Sequence, residues 1–222
     1  MFDVDGRPLH VVWRYTRAEI IADGVVHALG LLLAISGAGA LVALAAYRLT
    51  PPEIAAVAIY ALGLVGLLAV SAAYNMWPIS RTKWWLRRFD HASIFILIAA
   101  TYTPFMIRAP SQGMALALFV GVWAIAIGGA VVKIMLPGRF DRTAIAFYLM
   151  LGFSGVLVWE TMSNVLSPTT IGLIVAGGLI YAGGVVFHVW TGLRFQNAVW
   201  HGFVLVASAV FYSAVLTGVV LA

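Results

Sequence analysis

Four groups of polar residues, one trio and three pairs, interrupt a chain that is otherwise strongly apolar, and three of the groups have the same spacing. Glu19, Asp23 and His27 follow one another at intervals of four, as do Ser71 and Asn75, and Asn197 and His201; Asp90 and His91 are adjacent. Four-residue spacing puts side chains on one face of a helix. Carboxylate, imidazole and hydroxyl groups gathered in one place can coordinate a cation or pass protons to and from a water molecule. The chain has no cysteine, which excludes disulfides, thiolate ligands and a thiol nucleophile. Any metal would have to rest on His, carboxylate, Ser or Asn.

The elements that position these groups are membrane spans. Of 222 residues, 63% are hydrophobic and 9% charged, against about 25% charged in a soluble domain. The basic residues punctuate apolar stretches and form no patch suited to nucleic acid, so the net charge of +5 reports topology. A polar leader, Met1 to Asp23 with Trp13 and Tyr15, precedes one helical domain over residues 24–222. Apolar runs long enough to cross a bilayer, which takes about 20 residues, lie at Gly24 to Tyr47, Ile54 to Met76, Met114 to Leu136, Thr143 to Met162, Thr170 to Trp190 and Val199 to Ala222. A shorter one covers His91 to Ile107. The expected fold is an all-α, seven-helix membrane bundle.

Eleven of the thirteen Lys and Arg residues fall on the side of the N-terminus, including Arg7, Arg14 and Arg17 and the group Arg81, Lys83, Arg87 and Arg88. Only Arg48 and Arg108 fall on the other. Basic loops stay inside, so the N-terminus is expected in the cytoplasm and the C-terminus outside, in the cell (inner) membrane. Trp77, Trp84, Trp85, Trp190 and Trp200 are expected as an interfacial belt, and the paired glycines as sites of close helix contact. On this topology Asp23, His27, Ser71, Asn75, Asp90, Asn197 and His201 all reach the cytoplasmic end, where they would line a shared polar cavity. Several have a plainer reading: Ser71 bonding its own helix carbonyl, His27 bridging helices, His201 beside Trp200 as an interfacial histidine, and Asn75 and Asn197 as caps or interhelical glue; His91, offset from Asp90, reads as structure. His10 and His188 have no partner in the pattern.

The ordered set Glu19...Asp23...His27, Ser71-Ala-Ala-Tyr-Asn75, Asp90-His91-Ala-Ser-Ile-Phe, Thr101-Tyr102-Thr103-Pro104-Phe105, Gly177-Gly178-Leu-Ile-Tyr181-Ala-Gly183 and Trp200-His201-Gly-Phe-Val resembles the bacterial hemolysin III family. That family belongs to the progestin and adipoQ receptor superfamily, related to alkaline ceramidases. The resemblance spans about Thr16 to Val215 and implies seven helices with a cytoplasmic N-terminus. It also implies a zinc site with one His at the end of helix 2, a His-x-x-x-His at the start of helix 7, and a supporting Ser and Asp. Ser71, Asp90 and His201 match; Asn75 and Asn197 stand where two of the three imidazoles are expected.

An amide oxygen is a weak donor for zinc. One imidazole and one carboxylate make a poor site unless His27 or Asp23 also reaches in. The expected function is therefore a non-enzymatic or degenerate hemolysin III-like membrane protein in lipid or membrane-energetics homeostasis, with membrane lipids as partners; cytolysis is the family's historical label. The alternative is a metal-dependent lipid amidase or esterase, with His201 as ligand and Ser71 and Asp90 on the reacting water. A transmembrane proton or ion path would need ionisable stations near the other face as well.

Overall fold

The computed structural model describes residues 15–109 and 113–222; the expectations for His10, Trp13, Arg7 and Arg14 lie outside them. The described residues are helical: α1 (Arg17–Arg48), α2 (Pro51–Met76), α3 (Arg81–Met106), α4 (Met114–Met135), α5 (Asp141–Phe153), a 3-10 segment (Ser154–Val158), α6 (Trp159–Val165), α7 (Pro168–Val189) and α8 (Gln196–Val215), which runs into a π turn (Leu216–Val220). Six segments are long and apolar enough to cross a membrane, with α5, the 3-10 segment and α6 forming one broken span. The less apolar α3 is the seventh helix of membrane length.

The helices begin where local chemistry tells them to. Thr16 and Glu19 form a reciprocal capping box at the start of α1, which satisfies N–H groups that have no partner inside the helix. Glu53 reaches back to the Thr50 N–H at 3.0 Å, and Pro51 takes the first turn of α2, where its missing N–H costs nothing. Ser80 and Ser167 cap α3 and α7.

Helix α3 departs from expectation. It starts at Arg81, ten residues before His91, and at 26 residues it is not the shortest helix. The reason is that its first turns, although charged, are held inside the protein: Lys83 and Trp84 are 5% and 1% exposed. Trp84 is thus a core residue and not part of an interfacial belt, whereas Trp77, Trp85 and Trp190 are exposed as expected.

In order around the bundle, α4 packs on α3, α3 on α2, α2 on α1, α1 on α8 and α8 on α7, while α5 touches α3 and α7. Close approach depends on small residues. A Cβ built on Gly129 would meet the Phe95 ring at 2.6 Å, and one on Gly184 would meet Phe203 at 2.7 Å. Gly39, Gly66 and Gly128 have nothing within 4 Å, so only part of the glycine pattern serves contact.

The break in the fifth span frees backbone groups that hydrocarbon cannot solvate. Tyr102 of α3 satisfies them. Its hydroxyl accepts the Gly155 N–H at 2.8 Å and donates towards the Leu151 and Gly152 carbonyls, each at 3.0 Å. Tyr102→Phe is expected to cost about 1–2 kcal/mol, read as a lower thermal midpoint in detergent together with faster hydrogen exchange at Gly155.

Candidate functional site

At one end of the bundle, α1 and α8 begin while α2 ends, and α3 begins beside them. The start of α8 is fixed to α1: Glu19 Oε1 accepts the Phe195 N–H at 3.1 Å. Phe195 holds a left-handed backbone (φ 59°), uncommon for a bulky residue, and this turns the chain into α8. Glu19 is therefore a latch and a cap, not a member of the polar site. The latch sets the register in which His201 faces α1.

Asp23, His27, Ser71 and His201 are each more than nine-tenths buried. His201 Nδ1 and Asp23 Oδ1 are 2.6 Å apart, in hydrogen-bond contact. His27 Nε2 is 3.7 Å from Asp23 Oδ2, and the two imidazole rings are 4.3 Å apart between centroids. Asp23, His27 and His201 each offer a ligand atom, all within 4.8 Å of one another. His27 Nε2 is buried and has no hydrogen-bond partner among the described residues. A buried imidazole nitrogen without a partner is costly, and its presence calls for an explanation.

The other expected residues are placed around this trio. Ser71 lies beside the Asp90 carboxyl, and Asp90 is within electrostatic range of His201 and Asp23. Asn75 does not enter the trio. Its amide donates to the Ser71 carbonyl at 3.0 Å and lies 3.4 Å from the Ser71 hydroxyl. Asn197 lies on the same recess as Tyr15. Both asparagines line an outer recess of about 70 Å³, together with Glu19, Asp23 and Gln196. His27, Ser71 and His201 line a separate inner cavity of about 10 Å³ with Gly30, Leu68 and Val204, room for about one water molecule. Asp23 stands between the two spaces.

The charged residues that sequence reasoning treated as topology markers form a second cluster. Asp141 accepts from Arg87 at 2.9 Å and from Lys133 at 2.6 Å, and His91 Nδ1 is 3.8 Å from it. Tyr148 donates to the His91 carbonyl at 2.8 Å. The cluster ties α3, α4 and α5 together at the end that carries the Asp23 site. Lys83 has a different task, donating to three carbonyls at the end of α2. The one signal for this cluster in the sequence was the concentration of basic residues; their partners lie up to 54 positions away. His188, left without a role above, packs its ring against Trp200 at 4.9 Å.

A bundle of membrane-length helices with a buried histidine–carboxylate group at one end defines a multi-pass helical membrane protein with a candidate cation site. The Haemolysin-III related family model matches residues 17–212, and the chain belongs to that family, within the progestin and adipoQ receptor superfamily. It is 32% identical over 202 residues to the Hemolysin-3 homolog of Bacillus subtilis, covering 91% of this chain and 95% of the relative. It is 29% identical to Hemolysin-3 of Bacillus cereus, over 89% and 90%. The human Monocyte to macrophage differentiation factor is 34% identical over 71% of this chain and 67% of its own. The family and the apolar helices together make this a multi-pass cell-membrane protein.

Proposed function

We propose that this protein is a hemolysin III-like membrane protein that holds a divalent cation, zinc by its donor set, through Asp23, His27 and His201, and that it serves membrane lipid or energetics homeostasis without hydrolytic turnover. The observation that carries this reading is the orphaned, buried His27 Nε2 facing Asp23 and His201. Two imidazoles and a carboxylate are a recognised donor set for zinc. The set fits in kind: Asp23, His27 and His201 each offer a ligand atom, all within 4.8 Å of one another, and these three residues would hold the ion. In this reading Asn75 and Asn197 are not weak ligands but the lining of an outer recess. The chain supplies its own compensation one turn deeper, from α1. The placement of most Lys and Arg residues at this end favours a cytoplasmic site.

A bound zinc would supply Lewis acidity and an acidified water. Asp23 would neutralise part of the ion's charge, and Ser71 and Asp90 would hydrogen-bond a neighbouring water. The inner cavity, sized for about one water molecule, favours binding over turnover of a lipid carbonyl. The second reading is a lipid amidase or esterase. Ser71 beside Asp90 favours it, since that pair could position and deprotonate a water.

The test is elemental analysis of protein purified in mild detergent without chelators or a His-tag. About one zinc per chain is expected, lost in His27→Ala and in His201→Ala, with Asn75→Ala retaining it. Retention by His27→Ala with loss in Asn75→Ala would place the ion at the asparagines and refute the deeper site. Release of fatty acid from a short-chain ceramide by the zinc-loaded protein, abolished in Asp90→Ala, would replace the binding role with the enzymatic one.

A further inference from the structure

Four basic residues crowd the first two turns of α3, and three have settled roles or positions. Lys83 is consumed by carbonyls and Arg87 by Asp141; Arg81 is exposed at the first turn. Arg88 is different. Its guanidinium lies over the exposed Trp85 ring, 3.9 Å from the centroid. Nη1 makes a long bond of 3.4 Å to the Ile134 carbonyl at the end of α4. Nε is buried without a partner among the described residues. Among the described residues no carboxylate lies within ion-pair distance of Arg88, since Asp141 pairs with Arg87, Lys133 and His91.

The surroundings fit one kind of anion. From Arg81 to Arg142, on the strands of chain that meet at this end, seven basic residues face two acids: Arg81, Lys83, Arg87, Arg88, Lys133, Arg139 and Arg142 against Asp90 and Asp141. Trp85 and Phe89 of α3, Met135 at the end of α4 and Leu136 just after it are exposed around the Arg88 position. Two membrane-length helices thus end there with aromatic and aliphatic side chains facing outward, which is the depth of lipid headgroups. With the indole under its face, Nε buried and Nη1 turned to the Ile134 carbonyl, the Arg88 guanidinium has Nη2 left to donate, and guanidinium donors suit phosphate oxygens.

We propose that the face where the start of α3 meets the end of α4, with Arg88 held on Trp85, binds the phosphodiester of an anionic phospholipid. The Arg88 guanidinium takes the phosphate oxygens, and the acyl chains lie along the exposed apolar residues of α3 and α4. A free inorganic anion would leave that apolar wall uncovered. The site is separate from the Asp23 chamber and does not depend on a metal being bound there.

The test uses the full chain in detergent, titrated separately with dioleoyl phosphatidylglycerol, dioleoyl phosphatidylcholine and inorganic phosphate, with native mass spectrometry to count retained lipid. Preferential retention of phosphatidylglycerol is expected. Arg88→Gln should weaken it about fivefold, the scale for one basic residue at an anionic surface, while phosphatidylcholine retention stays unchanged and Arg139→Gln behaves like the parent. Equal retention of the two lipids by the parent, or unaltered phosphatidylglycerol retention in Arg88→Gln, would overturn the proposal. So would competition by millimolar inorganic phosphate, which would assign the site to a free anion. If Arg88→Gln fails to fold, Arg88→Lys carries the test: it keeps the charge and loses the planar donor stacked on Trp85, and undiminished retention there refutes the site.

Discussion

Asp141→Ala is expected to destabilise the protein by about 3 kcal/mol, the lower end of the range for removing one partner of a buried ion pair. The lower end applies because the carboxylate is 33% exposed. Its partners are not: Lys133 is 3% exposed and Arg87 12%. Without Asp141 the Lys133 ammonium keeps only the Arg139 carbonyl at 3.2 Å, and two cations share a space that held one compensating charge. The junction of α3, α4 and α5 should loosen first. The measurement is reversible unfolding by thermal or SDS titration in mixed micelles. A second variant separates lost attraction from the penalty of the stranded charge: Lys133→Met on the Asp141→Ala background should recover at least half of the loss. A loss below about 0.5 kcal/mol in the single variant would mean the cluster behaves as a solvated surface pair.

Lys83→Met has the next largest expected effect, also about 3 kcal/mol, from three charge-assisted hydrogen bonds whose acceptors stay behind. Lys83 Nζ donates to the carbonyls of Tyr74, Asn75 and Trp77, each at 2.9 Å. These belong to the last turn of α2 and the residue after it, where carbonyls have no partner within the helix and the helix dipole favours a cation. Methionine keeps most of the stem's volume and removes only the donor. The end of α2 should fray, and the Asn75 amide should lose its fixed position on Ser71. Hydrogen exchange read by mass spectrometry checks this: protection should fall at the C-terminal turn of α2 and remain in the middle of that helix. Unchanged protection there would show that water or headgroups cap the turn as well as the lysine does.

Both predictions concern residues that the sequence showed only as charge. Lys83, Arg87 and Lys133 are visible as basic residues flanking apolar runs, and positive flanks are expected of any membrane protein. That Lys133 and Arg87 would meet on Asp141, eight and 54 positions away, depends on how α3, α4 and α5 pack. Periodicity along one helix carries no information about that. The early start of α3 was hidden for a related reason: a hydropathy reading ends a span at the first charges, whereas the helix continues wherever the fold supplies partners for them.

The candidate site divides along the same line. By itself the sequence determined that the chain is a helical membrane bundle, because apolar runs of spanning length have few other solutions in lipid. It also determined that Asp23, His27, Ser71, Asp90 and His201 come to one end, because alternating spans fix the depth of every residue. Depth is a one-dimensional property that chain position and helical rise supply. Which of those residues touch is a matter of azimuth, the direction each helix face takes around its axis, and only the tertiary structure decided it. Packing of α1 on α8, registered by the Glu19 latch on Phe195, brings Asp23 and His27 to His201. The same packing leaves Asn75 and Asn197 lining the outer recess, since a helix turned by even a third of a revolution presents a different face to its neighbour.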